Sequence, residues 1–355
     1  MQTSAHHQKH VSPAPLVTRD PSAIKTRSDQ LTHALTLGLL NADQYTTYSD
    51  RRIAVYTRSF AKGKGQISLM LAPKSGEAWN HVLTLLRTVG DQLVDTFLAL
   101  LAIAIDTHGT EHITRPLTLH PDDLLAICQK KKSHGSYTAE QRARVMEHLH
   151  TLSRIQVFAT FTLRSGKQIR AESTILDVLD RSEAIDEQRT QADYWHSQHV
   201  QLGSWPTMLR QWCRQIAEMA RHVLGYHAKK QKYEKRLGRY LSLLFRINVR
   251  KHGGRAKISM GVLLEQAGII PDLKNPGRTR DVIERALRQL YTDGVIGPFA
   301  PAVDNSPRGR EVQERIEQRA YHWWDDYSKQ RWIFDAPDSI REAYENTLRE
   351  TDIPE

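Results

Sequence analysis

The chain has 355 residues, 39% of them hydrophobic, and Lys plus Arg exceed Asp plus Glu by ten, giving a pI near 9.5. That length suffices for two domains with full cores, and the basic balance favours an acidic partner, most often nucleic acid. No apolar run reaches the roughly eighteen residues of a membrane span, and Cys128 and Cys213 are too few for a disulfide framework or a cysteine-rich zinc site.

The opening MQTSAHHQKHVSPAP lacks the apolar core of a signal peptide, so a reduced, cytoplasmic protein with no membrane partner is expected. Residues 1–50 read as a flexible, partly helical arm, in which His6, His7 and His10 belong to a polar tail rather than a metal site. A short helix is expected between Pro21 and Leu37. Two strands follow, Arg52–Thr57 and Gln66–Leu71. The segment joining them ends in Ala61-Lys62-Gly63-Lys64-Gly65, which lacks the final Gly-Lys-Ser/Thr of a phosphate loop and reads as a basic hairpin turn.

Trp79–Thr107 is a strongly apolar helix and the spine of a first unit, residues 51–180. A strand, Ile113–Leu119, and a short helix opened by His120-Pro121-Asp122-Asp123 come next. The basic turn Lys130-Lys131-Lys132-Ser133-His134-Gly135-Ser136-Tyr137 leads to Thr138, a good N-cap for a helix to Leu152. Strands Ile155–Leu163 and Gln168–Leu176, joined by Arg164-Ser165-Gly166-Lys167, close the unit as a two-stranded wing. Helix, strand, helix, turn, helix, wing is the order of a winged helix.

Residues 181–203 are polar and read as a linker, and residues 204–355 repeat the plan. Helices are expected over Trp205–Tyr226 and Tyr233–Val249, separated by the basic run 227–232. A short strand precedes a helix with Val262, Leu263, Leu264 and Ala267 inward, stopped at Gly268. After a turn through Pro271, Asn275, Pro276 and Gly277, a longer helix places Val282, Ile283, Ala286, Leu287, Leu290 and Tyr291 on one stripe. Arg278, Arg285 and Arg288 lie on the other. A helix docked by its predecessor and presenting arginines outward has the geometry of a major-groove reader. A strand to Phe299, an inserted helix over Arg310–Gln330 and a returning strand Arg331–Phe334 form a wing with an insertion. Pro337 opens a final helix. Trp323 and Tyr327 fall on the insertion's apolar stripe and are expected to pack in the core. The expected fold class is α+β, mainly helical: two tandem winged-helix domains with small β-wings.

His148-Leu149-His150 matches the His-hydrophobic-His pattern of metal-dependent origin nickases, with Tyr233 or Tyr240 as nominal nucleophiles. On a helix, side chains two apart point roughly 200° apart and cannot share one ion. Val145, Leu149 and Leu152 have helical spacing, and nothing local activates either tyrosine. The acid pairs Asp122-Asp123 and Asp325-Asp326 face different directions on helices. No enzyme, cofactor or metal is therefore expected.

Two stretches, Asp95–Asp106 (DTFLALLAIAID) running on through Leu119–Phe161, and Arg278–Ile296 (RTRDVIERALRQLYTDGVI), resemble the tandem winged-helix initiators of theta-type plasmid replication. The resemblance is architectural, from about Gln66 to Ser339. It implies a sequence-specific binder of double-stranded DNA that recognises repeated origin sequences. Host helicase or initiator proteins, and a second copy of the chain, are its implied partners. It places Arg278, Arg280, Arg285 and Arg288 at the base-reading helix with Lys274 nearby. Lys130, Lys131, Lys132, His134, Arg142 and Lys167 would approach DNA from the first unit. A transcriptional regulator using the same folds, a nickase, and a structural or RNA-binding protein stay open as alternatives.

Overall fold

The structure is a computed structural model that describes residues 23–27, 30–50, 53–60, 65–71, 79–162, 168–179, 198–207 and 216–342. The histidine tail, the Ala61–Lys64 segment, the turn holding Lys167, Cys213 and most of the expected linker lie outside these residues. In chain order the first elements are β1 (Ala23–Arg27), α1 (Gln30–Leu40), β2 (Thr46–Tyr48), β3 (Ile53–Phe60), β4 (Gly65–Leu71), α2 (Trp79–His108) and β5 (Leu117–Leu119). Then come α3 (Pro121–Ile127), α4 (Ala139–Leu152), β6 (Ile155–Thr162), β7 (Gln168–Thr174), β8 (Leu176–Val178), β9 (Gln198–Leu202), β10 (Ile216–Ala220) and α5 (His222–Gly225). The last are α6 (Lys232–His252), β11 (Ala256–Ser259), α7 (Met260–Gln266), α8 (Pro276–Thr292), β12 (Phe299–Pro301), α9 (Pro307–Glu317), α10 (Trp323–Lys329) and β13 (Arg331–Phe334).

The central element is α2, whose Leu93, Val94, Phe97, Leu101, Ala102 and Ile105 are all buried. Its stretch Leu86–His108 is long and apolar enough to cross a membrane, contrary to the expectation that no run would be; most of it is buried inside the protein. Burial on every side explains this, because a core helix has no face that must be wetted.

Two sets of elements repeat one plan. The set α2-β5-α3-α4-β8-β9 closes an antiparallel sheet of order β5-β9-β8, and α6-β11-α7-α8-β12-β13 closes one of order β11-β13-β12. In both, the last strand lies in the middle. The hairpin β6–β7, expected to be the first wing, instead completes a five-stranded antiparallel sheet of order β2-β3-β4-β6-β7. Its register explains the choice: Ile155, Val157 and Ala159 face Leu71, Leu69 and Ile67, six buried apolar side chains in matched pairs. Strands β8 and β9 close the first set, and β9 falls inside the segment read as linker.

Three expected helices differ. Where one helix was expected over 21–37, Ala23–Arg27 is strand β1 and α1 begins at Gln30, and residues 205–226 contain β10 and the short α5, because β1 and β10 pair with each other. The helix expected over Arg310–Gln330 is split into α9 and α10, with Arg319 and His322 left-handed at φ 51° and 61°. That corner lets Arg315 reach Asp326 at 2.9 Å while Ile316, Trp323 and Tyr327 all stay buried. Val262 and Tyr291, expected inward, are exposed. Past Pro337 a helical turn begins at residue 338.

The two sets are joined by charge in the core. Asp91 and Asp95 of α2 meet Lys235, Arg236 and Arg239 of α6, all at most 9% exposed. Lys235 Nζ donates to Asp95 Oδ2 at 2.6 Å and to the Leu224 carbonyl at 2.8 Å. Arg236 donates to Asp91 Oδ2 at 2.8 Å, and Arg239 donates to Asp91 Oδ1 at 2.9 Å and Asp95 Oδ1 at 2.5 Å. Burial alone would raise the Asp91 carboxyl, but Arg239 and Arg236 outweigh it and hold the group below the usual range. Arg236 also donates to the carbonyl of Gly268, whose φ of +68° ends α7 in a conformation that favours glycine. The α7–α8 turn is thereby tied to the first set.

Candidate nucleic-acid interface

Helix α8 begins with Pro276 in its first turn, where a missing amide costs nothing. The turn before it is fixed by Asp272, whose carboxylate accepts from the Lys274 amide at 3.0 Å and whose carbonyl accepts from Thr279 Oγ1 at 3.1 Å. Thr279, Ile283, Ala286, Leu287 and Leu290 are buried. The opposite stripe carries Arg278, Asp281, Arg285, Arg288 and Thr292, all exposed. Arg278, Arg285 and Arg288 make no ion pair among the described residues. Arg288 Nε donates only to the Glu284 carbonyl, at 3.2 Å. Lys274 is exposed on the preceding turn.

Arg280 is different. It is half-buried, pairs with Glu284 at 2.7 Å, donates to the Ile316 carbonyl at 3.0 Å, and lies over the Tyr327 ring at 5.4 Å. It therefore anchors the inserted helices to α8 instead of facing outward with the other arginines. Arg319 pairs with Asp281 at 2.8 Å, removing the one acid on the outward stripe as a free charge.

In the first set, Thr138 caps α4 through a full capping box: its hydroxyl accepts from the Gln141 amide and Gln141 Oε1 accepts from the Thr138 amide at 2.8 Å. Gln141 Nε2 also donates to the Lys131 carbonyl at 3.0 Å, tying the lysine turn to this helix start. Ser133 and Ser136 exchange backbone hydrogen bonds, while His134 and Gly135 both have positive φ, at 49° and 84°. Two positive φ values in the centre define a tight turn of the I′ kind. Lys131, Lys132 and His134 are exposed, Lys130 is half-buried, and Lys132 lies over the Tyr137 ring at 5.3 Å. Arg142 does not join them: it grips Asp122 with two bonds, of 2.6 and 2.8 Å, and cross-links α3 to α4. That hydrogen bond holds the Asp122 carboxyl below its usual range. The outward face of α4 carries Glu140, Ala143, Arg144 and Glu147, with Arg144 paired to Glu140. It has no cationic stripe like that of α8.

Residues 221–226 connect the two basic regions. Arg221 donates to the Ala126 carbonyl, Gly225 lies against Gln129 next to the lysine turn, and Tyr226 donates to Asp293 at 2.6 Å, just past α8. The exposed His222 sits on this connection, and the exposed Lys229 and Lys230 follow it. The basic run 227–232 was visible in the sequence, but its position beside the end of α8 was not.

His148 and His150 both lie on α4. The His148 ring is buried and its Nδ1 bonds Thr96 Oγ1 at 2.8 Å, while His150 is half-exposed. Burial raises the Tyr240 hydroxyl to about 12 and also raises Tyr233, the reverse of what a nucleophile needs. Burial likewise lowers His148 to about 4, with Asp95 opposing. The unfolded imidazole takes a proton below about pH 6.5 and the folded one only below about 4. Stability is expected to fall as pH drops through that window, by on the order of 3 kcal/mol in all. Urea unfolding at pH 7 and pH 4.5 checks this. A His148→Gln variant that kept the same slope would show that other groups cause it.

No protein-family model matches the chain, and no curated protein matches it. Among solved structures it is similar to domains 2-3 of RctB, with a TM-score of 0.42 and 11% identity, covering 82% of this chain and 94% of that one. It is also similar to a selenomethionine derivative of domain 2 and domain 3 of RctB, with a TM-score of 0.40 and 14% identity, covering 72% and 85%.

Proposed function

We propose that the chain is a replication initiator that binds double-stranded DNA sequence-specifically through two tandem winged helices. The observation that carries this reading is α8: among the described residues Arg278, Arg285 and Arg288 make no ion pair, and they stand on the outward stripe of a helix whose other side is buried. An arginine at such a position can bond two acceptors on guanine at once, which a lysine on a mobile stem cannot. Arg285 and Arg288 are assigned the base contacts, and Arg278 and Lys274 flank them. Lys130, Lys131, Lys132 and His134 contribute phosphate contacts, which position a protein on DNA without reading it.

The element order and the repeated sheet order, with the last strand central, support reading both sets as winged helices. Their outward helices differ, since α4 lacks the arginine stripe, and two unlike units suit direct repeats better than a palindrome. The second unit then includes the helical insertion α9–α10. The protein acts in the cytoplasm on plasmid or nucleoid DNA, with a host helicase or initiator protein and a second copy of the chain as further partners.

The test is selection of bound fragments from the host's plasmid and chromosomal DNA, at salt high enough to suppress non-specific binding, followed by footprinting. Direct repeats beside an AT-rich stretch are expected. A single palindrome at a promoter would make the protein a transcriptional regulator instead, and no selected DNA would overturn both readings.

A further inference from the structure

The insertion α9–α10 builds a concave surface of about 990 Å³ that the reading above does not use, on the outer side of the sheet β11-β13-β12. Register places Lys257 opposite Ile333, Ser259 opposite Arg331, and Ala300 opposite Ile333, so all five side chains share one face. The other face is aromatic and turned inward, with Phe299, Trp332 and Phe334 stacked on one another. The outer face thus offers two cations, Lys257 and Arg331, among Ser259, Ala300 and Ile333. Arg308 and Arg310 from the first turn of α9, and Lys329 from the end of α10, complete the rim.

Charges on this surface are divided unequally. Of its acids, Asp326 is paired with Arg315 at 2.9 Å, whereas Glu314, Glu317 and Asp304 accept from the neutral Gln318, Gln313 and Ser306 amide at 2.9, 2.7 and 3.0 Å and keep their charge, leaving these three carboxylates against five cations. Lys257, Arg308, Arg310, Lys329 and Arg331 make no side-chain hydrogen bond or ion pair among the described residues, and all are exposed. The surface is also continuous with α8, since Arg319 of the insertion pairs with Asp281 and Arg280 of α8 bonds the Ile316 carbonyl at the end of α9.

We propose that this face is a second nucleic-acid contact, holding the phosphate backbone of the duplex that flanks the segment on α8. It rests on the DNA-binding reading of α8 and adds a separate foothold. Spread, unpaired cations over a broad, solvent-open face suit a phosphate backbone. The sheet's aromatic side chains, the usual anchors for a polypeptide partner, point the other way.

The experiment uses the full chain and a fluorescent duplex of random sequence, with affinity followed across about 50 to 200 mM salt. In R308Q/K329Q/R331Q the slope of log K against log salt should become shallower by about 2–3, since each phosphate contact contributes about 0.9. In R308K/R331K the slope should stay as in the parent. A triple variant that folds, judged by circular dichroism, and keeps the parental slope would overturn the proposal while leaving the reading of α8 intact. A parent that binds no duplex would overturn that reading instead. Loss of poly-glutamate binding in the triple variant, with duplex binding unchanged, would assign the face to an acidic polypeptide.

Discussion

Asp95→Asn is expected to destabilise the protein by about 3–5 kcal/mol, because it leaves buried cations without their counter-charge. Asparagine keeps one acceptor oxygen, so only one of Lys235 Nζ and Arg239 would retain a bond there; the other would face an amide NH2 and keep only the Leu224 carbonyl at 2.8 Å, for Lys235, or its bonds to Asp91, for Arg239. Neither cation can reach water from where it sits. The full cluster is no sign of unusual stability, since well-packed apolar residues in such places are often as good or better. What is costly is breaking it on one side. Denaturant unfolding of Asp95→Asn, Lys235→Met and the double variant measures this, and the double variant should recover part of the loss. A loss below about 1 kcal/mol for Asp95→Asn would mean that the cluster is hydrated or rearranges.

The second large effect concerns DNA. Arg285→Ala and Arg288→Ala should each weaken binding to the selected site by about 1–3 kcal/mol and relax its preference at one base position. Competition binding against single-base variants of the site reads both quantities. Equal weakening on every sequence would remove α8 as the reader. Arg280→Ala should act differently, removing its pair with Glu284 within α8 and loosening the contact of α8 with Ile316 and Tyr327, and so showing in thermal unfolding before it shows in sequence preference.

Elements set by local periodicity were legible from the residues alone. The capped helix α4, the apolar α2, the amphipathic α8 and the returning strand β13 fall where caps, proline and spacing put them. What could not be read depends on partners far along the chain. Nothing in AIKTR shows that it will pair with residues 216–220. The hairpin β6–β7 has the alternation any wing would have, and only β4 as a partner decides its sheet. Arg278 and Arg280 look alike in sequence, and the insertion lying over one flank of α8 separates them. The ion cluster did leave a trace: Asp91 and Asp95 are spaced by four in an otherwise apolar helix, as are Lys235 and Arg239 in α6. Two acids one turn apart on a core helix require buried cations, and that requirement points to a partner helix.

The same cluster bears on how the chain is made. The carboxylates of α2 leave the ribosome well before their cations, which lie 140 to 148 positions later. Until α6 is synthesised, the nascent first half holds two charges on its most apolar helix with nothing to neutralise them, and it cannot close its core around them. Folding of the amino-terminal half is therefore expected to be incomplete until the carboxyl-terminal half is present. The two repeats resemble modules in outline, yet the shared ion cluster predicts that they unfold in one transition.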